Sequence, residues 1–167
     1  FYYAPSSGFL ALCTSNLPEV DVIPSENFNT VTYSGNSTAS REIDVGFNPD
    51  LVWTKARDGA VVHVLMDSVR GVDLRLRSND TNAEDSYDGI NSFTSPANGY
   101  TLGVQTGVNS SSYTYASWNW KAGGAAVSNT NGTITSSVSA NAAAGFSIVS
   151  WASPVANGNT IGHGLSK

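Results

Sequence analysis

Nowhere in this chain do apolar residues recur every three or four positions for long enough to make a capped helix. They recur every second position, in short runs closed by turn residues. The nearest helical stretch, "NAAAG" at 141–145, is too short to stand alone. Roughly ten runs read as strands, at the spacing of about 8 to 12 residues typical of β-sandwiches. In "VDLRLR", Val72, Leu74 and Leu76 are expected to face inward and Asp73, Arg75 and Arg77 outward. In "YTYASWNW", Ala116, Trp118 and Trp120 share one face, and Tyr113 and Tyr115 the other. The remaining candidates are "GFLALCT", "FNTVTYS", "REIDVGF", "DLVWTKA", "AVVHVLM", "GYTLGV", "GTITSSV" and "FSIVSW". Charged residues make up only 13 % of the chain, which favours polar uncharged turns over salt-bridged helices. The expected fold class is all-β, an antiparallel β-sandwich of jelly-roll or lectin-like type.

Turn chemistry separates the strands. Asp58-Gly59, Asp88-Gly89, Asn98-Gly99 and Asn131-Gly132 are expected to supply the positive-φ positions of tight hairpins, and Asn48-Pro49 to begin a turn. "LPEVDVIPSEN", from Leu17 to Asn27, has two prolines and three carboxylates and reads as an extended linker. The closing "FSIVSWASPVANGNTIGHGLSK" aligns without a gap on "FNTVTYSGNSTASREIDVGFNP", with Phe146 on Phe28 and hence an offset of 118. Val149 then falls on Val31, Trp151 on Tyr33, Ile161 on Ile43, Gly164 on Gly46 and Leu165 on Phe47. Four of the 22 positions are identical, which by itself fits either a duplication or two similar strands in one sandwich. A length of 167 residues holds one full domain and part of another. The expected division is 1–16 as the last strand of an upstream sandwich, 17–27 as linker, 28–145 as a complete sandwich repeat and 146–167 as the truncated start of the next.

Charge narrows the partners. A net charge of −5 and a pI near 4.7 argue against nucleic acid, whose phosphates need clustered Lys and Arg. No apolar run approaches the ~20 residues that span a bilayer, so membrane insertion is not expected. The chain opens on Phe1 and is read as a piece of a longer protein. A single cysteine, Cys13, excludes an internal disulfide framework and reads as a small buried hydrophobe.

Little in the sequence carries catalysis. Of the two histidines, His63 lies within the apolar "AVVHVLM" and His163 between glycines, and neither accompanies a nucleophile motif. Asn79, Asp80, Asn82, Glu84, Asp85 and Asp88 crowd one loop, but Asp85 stands where a calcium-binding helix-loop-helix requires glycine, so the loop reads as solvated. No catalytic residue, metal ligand or cofactor is therefore expected, and the chain is read as non-enzymatic. The aromatics are more suggestive. Trp53, Trp118, Trp120 and Trp151 fall in strand patterns and are assigned to the core. Tyr87, Tyr100, Tyr113 and Tyr115 lie near loops and are the candidates for contact with a glycan or partner.

An ordered series of phrases then carries more weight than composition: "GFNPDLVWTKARD", "HVLMDSVRGVDLRLRSND", "NGYTLG" and "YASWNWKAGGAAVSNTNGTITSSVSANAAAGFSIVSW". Together they resemble a repeat of tailed-phage virion structural proteins, of tail-fibre or appendage type, found in phages of marine bacteria and cyanobacteria. The opening "APSSGFLALCTSNLP" resembles the end of a concanavalin- or SPRY-like lectin sandwich that precedes that repeat. The resemblance covers nearly the whole chain and favours a truncated second repeat at its end. Thr54 and Met66 depart from the more usual apolar residues, within strands. The resemblance implies a structural and adhesive role at the virion surface and no catalytic residues. It implies as partners other virion subunits in a homo-oligomer, commonly a trimer for fibres, and a host-surface polysaccharide. Asp67 and Arg70 of "DSVRG" match the family phrase and are expected to form a turn-stabilising ion pair. The rival readings are a carbohydrate-binding module and, after it, a glycan depolymerase.

Overall fold

A computed structural model describes residues 22–152 and 156–165. Residues 1–16, Cys13 and most of the linker lie outside the described residues. After a single 3-10 turn at Pro24–Glu26, the strands run β1 Phe28–Ser34, β2 Arg41–Asp44, β3 Leu51–Ala56, β4 Val64–Asp67, β5 Leu74–Arg75, β6 Asp85–Ser86, β7 Ile90–Ser92 and β8 Gly99–Leu102. A one-turn helix, α1 Thr106–Asn109, precedes β9 Thr114–Trp120, β10 Val127–Asn129, β11 Ser136–Asn141 and β12 Phe146–Trp151. The fold is all-β and sandwich-like, and its strand pairs are antiparallel.

One layer is a four-stranded sheet in the order β1-β9-β3-β4, and the facing layer is a three-stranded sheet in the order β2-β8-β7. Between them lies a core of Ile43, Val45, Phe47, Val52, Val64, Met66, Ile90, Phe93, Tyr100, Leu102 and Val108. Alternation makes this possible, because every second residue of β3 (Val52, Thr54, Ala56) and of β9 (Tyr115, Ser117, Asn119) turns inward and is buried. The central β8 is buried along all four residues. At its start Gly99 is obligatory, since a Cβ there would lie 2.1 Å from the Ile43 carbonyl oxygen across the β2–β8 pair.

Several local expectations give way. In "VDLRLR" only Leu74–Arg75 form a strand and the inward phase is reversed: Arg75 is buried, whereas Leu76 is 41 % exposed. Arg75 is held inside because its charge is fully used, with Nε 3.1 Å and Nη2 2.6 Å from the two carboxylate oxygens of Asp85 and its guanidinium 3.6 Å from the Tyr87 ring centroid. Of the four expected positive-φ dipeptides only Asn98-Gly99 has one, and Asn98 carries it at φ 71°. His63 stands just ahead of β4, outside any strand.

The third sheet, β10-β11-β12, bears on the domain division. β12 pairs with β11 from Asn141↔Phe146 to Ser136↔Trp151, and Ile161 bridges Ile134 in parallel. The boundary drawn between 145 and 146 therefore falls inside a hairpin. The segment from Phe146, expected to open a further repeat, forms the third strand of the β10-β11-β12 sheet.

Candidate functional site

The alternation that sends Tyr115, Ser117 and Asn119 inward sends Trp118 and Trp120 to the outer face of the four-stranded sheet. Cross-strand register then gathers the aromatics: Phe28 stands opposite Trp120, and Trp53 opposite Trp118. Phe28 and Trp120 lie 5.0 Å apart between ring centroids, Trp53 and Trp118 5.4 Å, both tilted. From the third sheet Phe146 stacks on Trp120 at 6.1 Å. Phe28 is 42 % exposed and the tryptophans half-buried, with Thr30 and Thr32 beside them on β1. Assigning the tryptophans to the core is thus corrected: Trp53, Trp118 and Trp120 form an aromatic outer face, and Trp151 is 50 % exposed.

The physical reason lies in what β9 puts inside. Ser117 and Asn119 look like surface residues, yet both are buried: Tyr100 donates its hydroxyl to Ser117 Oγ at 2.9 Å, and Asn119 Nδ2 donates to the Asn29 carbonyl at 3.1 Å, while Asn119 Oδ1 is buried without a partner. A polar network accepts these small residues, and the bulkier indoles stay outside.

Two of the tyrosine candidates for surface contact, Tyr100 and Tyr115, are corrected by their burial. Tyr100 and Tyr115 are both 0 % exposed. Burial pushes the Tyr100 hydroxyl up to about 12 and raises that of Tyr115, whose oxygen donates to Thr106 O at 2.6 Å. Tyr33, half-buried on β1, is raised well above its ordinary value by desolvation and donates to Val108 O at 2.8 Å. Tyr87 is half-buried beneath Arg75, its hydroxyl accepts from Gly107 N at 2.8 Å, and desolvation raises it too. Tyr113 is half-buried, its ring laid against Gly59 where a Cβ would meet it at 2.4 Å. None of the four stands free at a loop tip.

At the edge of the aromatic face Trp53 Nε1 donates to His63 Nδ1 at 3.1 Å, and Ser78 Oγ lies 2.9 Å from the same nitrogen. An indole nitrogen only donates, so Nδ1 accepts and the ring proton sits on Nε2. Burial, then the nearby Lys55, lowers the His63 pKa. His163 follows the Ile134–Ile161 bridge, and its Nδ1 accepts from Leu165 N at 3.1 Å.

Two carboxylates of the acidic loop, Glu84 and Asp85, are taken by arginines, while Asp80 accepts from Asn82 and Asp88 from Asn91. Arg70 Nε meets Asp67 Oδ2 at 2.6 Å and its Nη1 meets Glu84 Oε2 at 2.7 Å. Asp67 Oδ1 also accepts from the backbone of Val69 and Arg70, at 3.1 and 2.9 Å, and ties the "DSVRG" turn. Asp85 takes Arg75 and Arg77, and hydrogen bonding from Arg75 is the first cause that holds its carboxyl at about 2. Among the described residues no three His, Cys, Asp or Glu side chains converge as metal ligands. No helix among them is long and apolar enough to cross a membrane.

No curated protein and no solved structure matches this chain. One family model does, over residues 23–167, a span that takes in both layers of the sandwich and the β10-β11-β12 sheet. The chain belongs to that family, the domain of unknown function DUF7483.

Proposed function

We propose that this chain is a non-enzymatic structural and adhesive module of a phage virion surface protein, a tail fibre, spike or capsid appendage, in which it acts as a rigid spacer. The observation that carries this reading is the β11–β12 hairpin. The segment that repeats β1 is built directly into a sheet of the preceding unit, so two successive units would be joined without a loose tether. Support also comes from backbone conformation, because Gly46 at φ 89° and Gly164 at φ 72° are equivalent at the 118-residue offset and both left-handed. The resemblance of the ordered phrases to virion repeats supports a spacer at the particle surface, where homo-oligomeric neighbours would cover its sheet edges. Antibody labelling of intact particles tests the reading: gold at the tail or capsid periphery is expected, and virions free of the chain would remove it.

A second reading is favoured by the outer aromatic face. Phe28, Trp53, Trp118 and Trp120 beside threonine hydroxyls offer ring faces and hydrogen-bonding groups together, as sugar rings require. In that case the module would bind a host-surface polysaccharide, with weak contacts multiplied by copy number. On a glycan array of host envelope sugars, saturable binding that Trp118→Ala abolishes would support carbohydrate recognition. Silence leaves the spacer. Release of reducing ends from those polysaccharides by assembled protein would instead mark a depolymerase.

A further inference from the structure

Sequence equivalence and strand pairing give different neighbours to the same strand. β1 pairs through one edge with β9, and β12, its equivalent at the 118-residue offset, pairs through one edge with β11. Among the described residues, neither the edge of β1 away from β9 nor the edge of β12 away from β11 carries a strand. We infer that these are two halves of one junction: the β1 strand of each copy lies between β9 of its own copy and β11 of the copy before it, so that a single sheet runs β10-β11-β1-β9-β3-β4 through the boundary. The partner of each unpaired edge is a second copy of this unit. The inference rests on the serial-module reading proposed above and adds how the modules would be joined.

Backbone direction and side-chain packing both fit. Asn27 O accepts from Lys121 N and Gly35 N donates to Tyr113 O, each at 2.9 Å. Hydrogen-bonding groups alternate along a strand, so Asn29, Val31 and Tyr33 address β9 while Phe28, Thr30 and Thr32 turn theirs to the open edge, which ends where Arg41 Nη1 donates to Ser34 O. An open edge of this kind is a template for another strand. Trp120 meanwhile touches both Phe28 and Phe146, equivalent residues of successive copies. In the continuous sheet each such phenylalanine would lie between Trp120 of its own copy and Trp120 of the copy before.

The test inserts a second copy of residues 28–145 between Gly145 and Phe146 of the full chain, with Cys13→Ser throughout. Ser137→Cys in the first copy is combined with Thr32→Cys in the inserted one, because Ser137 pairs with Ser150 and Ser150 is equivalent to Thr32. The uninserted chain carrying Ser137→Cys and Ser150→Cys sets the reference yield of disulfide. The inserted chain is expected to reach that yield within about twofold. A folded inserted copy that leaves the pair reduced while the reference closes would overturn the shared strand. An inserted copy that fails to fold would overturn it too, since the junction uses no residue outside 28–145. Neither failure alters the particle-labelling result, which judges the spacer reading separately.

Discussion

Asp85 shows how much one carboxylate can organise in a chain so poor in charge. It receives Arg75 and Arg77, and its folded pKa of about 2 lies below the ordinary carboxylate value. A carboxyl held down in the folded state contributes stability that is present above pH ~4 and is lost as pH falls toward 2. Asp58, lowered chiefly by the hydrogen bond from Thr114 N, acts in the same direction. His63 adds an earlier loss: its pKa is lowered in the folded state, so the unfolded chain binds the proton first and stability declines below pH ~6.5. Urea midpoints across pH 2 to 7 are expected to fall toward acid in two stages. Asp85→Asn should flatten the lower stage, and His63→Gln the upper one. Asp67 is a different case, because it is 4 % exposed and answers Arg70 and two backbone amides at once. Asp67→Ala is expected to destabilise by about 2 to 4 kcal/mol in urea unfolding, since it leaves a half-buried guanidinium short of its partner.

At the scale of elements, β9 decides which residues are core and which are surface, and it is where reading from sequence fell short. Alternation in "YTYASWNW" separated the two faces correctly, but apolar bulk chose the wrong one for the interior. Hydrophobic pattern reports that faces differ; it does not reveal that Tyr100 of the facing sheet meets Ser117, that Asn29 of the neighbouring strand accepts from Asn119, or that Thr106 accepts from Tyr115. The same limit explains Arg75, which no periodicity turns inward until Asp85 and Tyr87 are known to meet it. Strand existence was legible in 28–34, 51–56, 114–120 and 146–151, where runs of six or seven residues alternate. The short β6, β7 and β10 were not, because two or three residues hold no period. The burial contrast is measurable. Tyr115→Ala is expected to cost about 3 to 5 kcal/mol, as for other large buried aromatics, whereas Trp118→Ala on the outer face should cost about half as much. Comparing the two by chemical denaturation checks the assignment of faces, and equal losses would contradict it.

For the whole molecule, the question is how firmly the β10-β11-β12 sheet is fastened to the sandwich, because the proposed spacer would be only as stiff as its joints. The chain crosses between them at Lys121–Ala125 through Gly123 and Gly124, the latter at φ 78°, a pair that would act as a hinge if nothing pinned it. Several contacts pin it, among them Ala122 N donating to Asp50 Oδ2 at 2.8 Å on the sandwich side. Ser139 Oγ accepts from Gly123 N at 3.0 Å and donates to Gly124 O at 2.7 Å; Asn141 donates to Asn27 Oδ1 at 2.7 Å; Phe146 stacks on Trp120. Gly123 has no room for a side chain, since a Cβ would lie 2.3 Å from Ala140 O, so the connector passes β11 backbone to backbone there. These ties are few beside the core of the sandwich, and the outer sheet should therefore open at lower free energy than β9. In hydrogen exchange followed by mass spectrometry, amides of 136–151 are expected to exchange faster than those of 114–120. Asn141→Ala or Ser139→Ala should accelerate the outer group severalfold and leave β9 unchanged. Acceleration of both groups together would mean that the sheet is part of the same cooperative unit. A continuous sheet through a further copy would then slow exchange in 146–151 specifically, because β12 would gain hydrogen-bonding neighbours on its second edge.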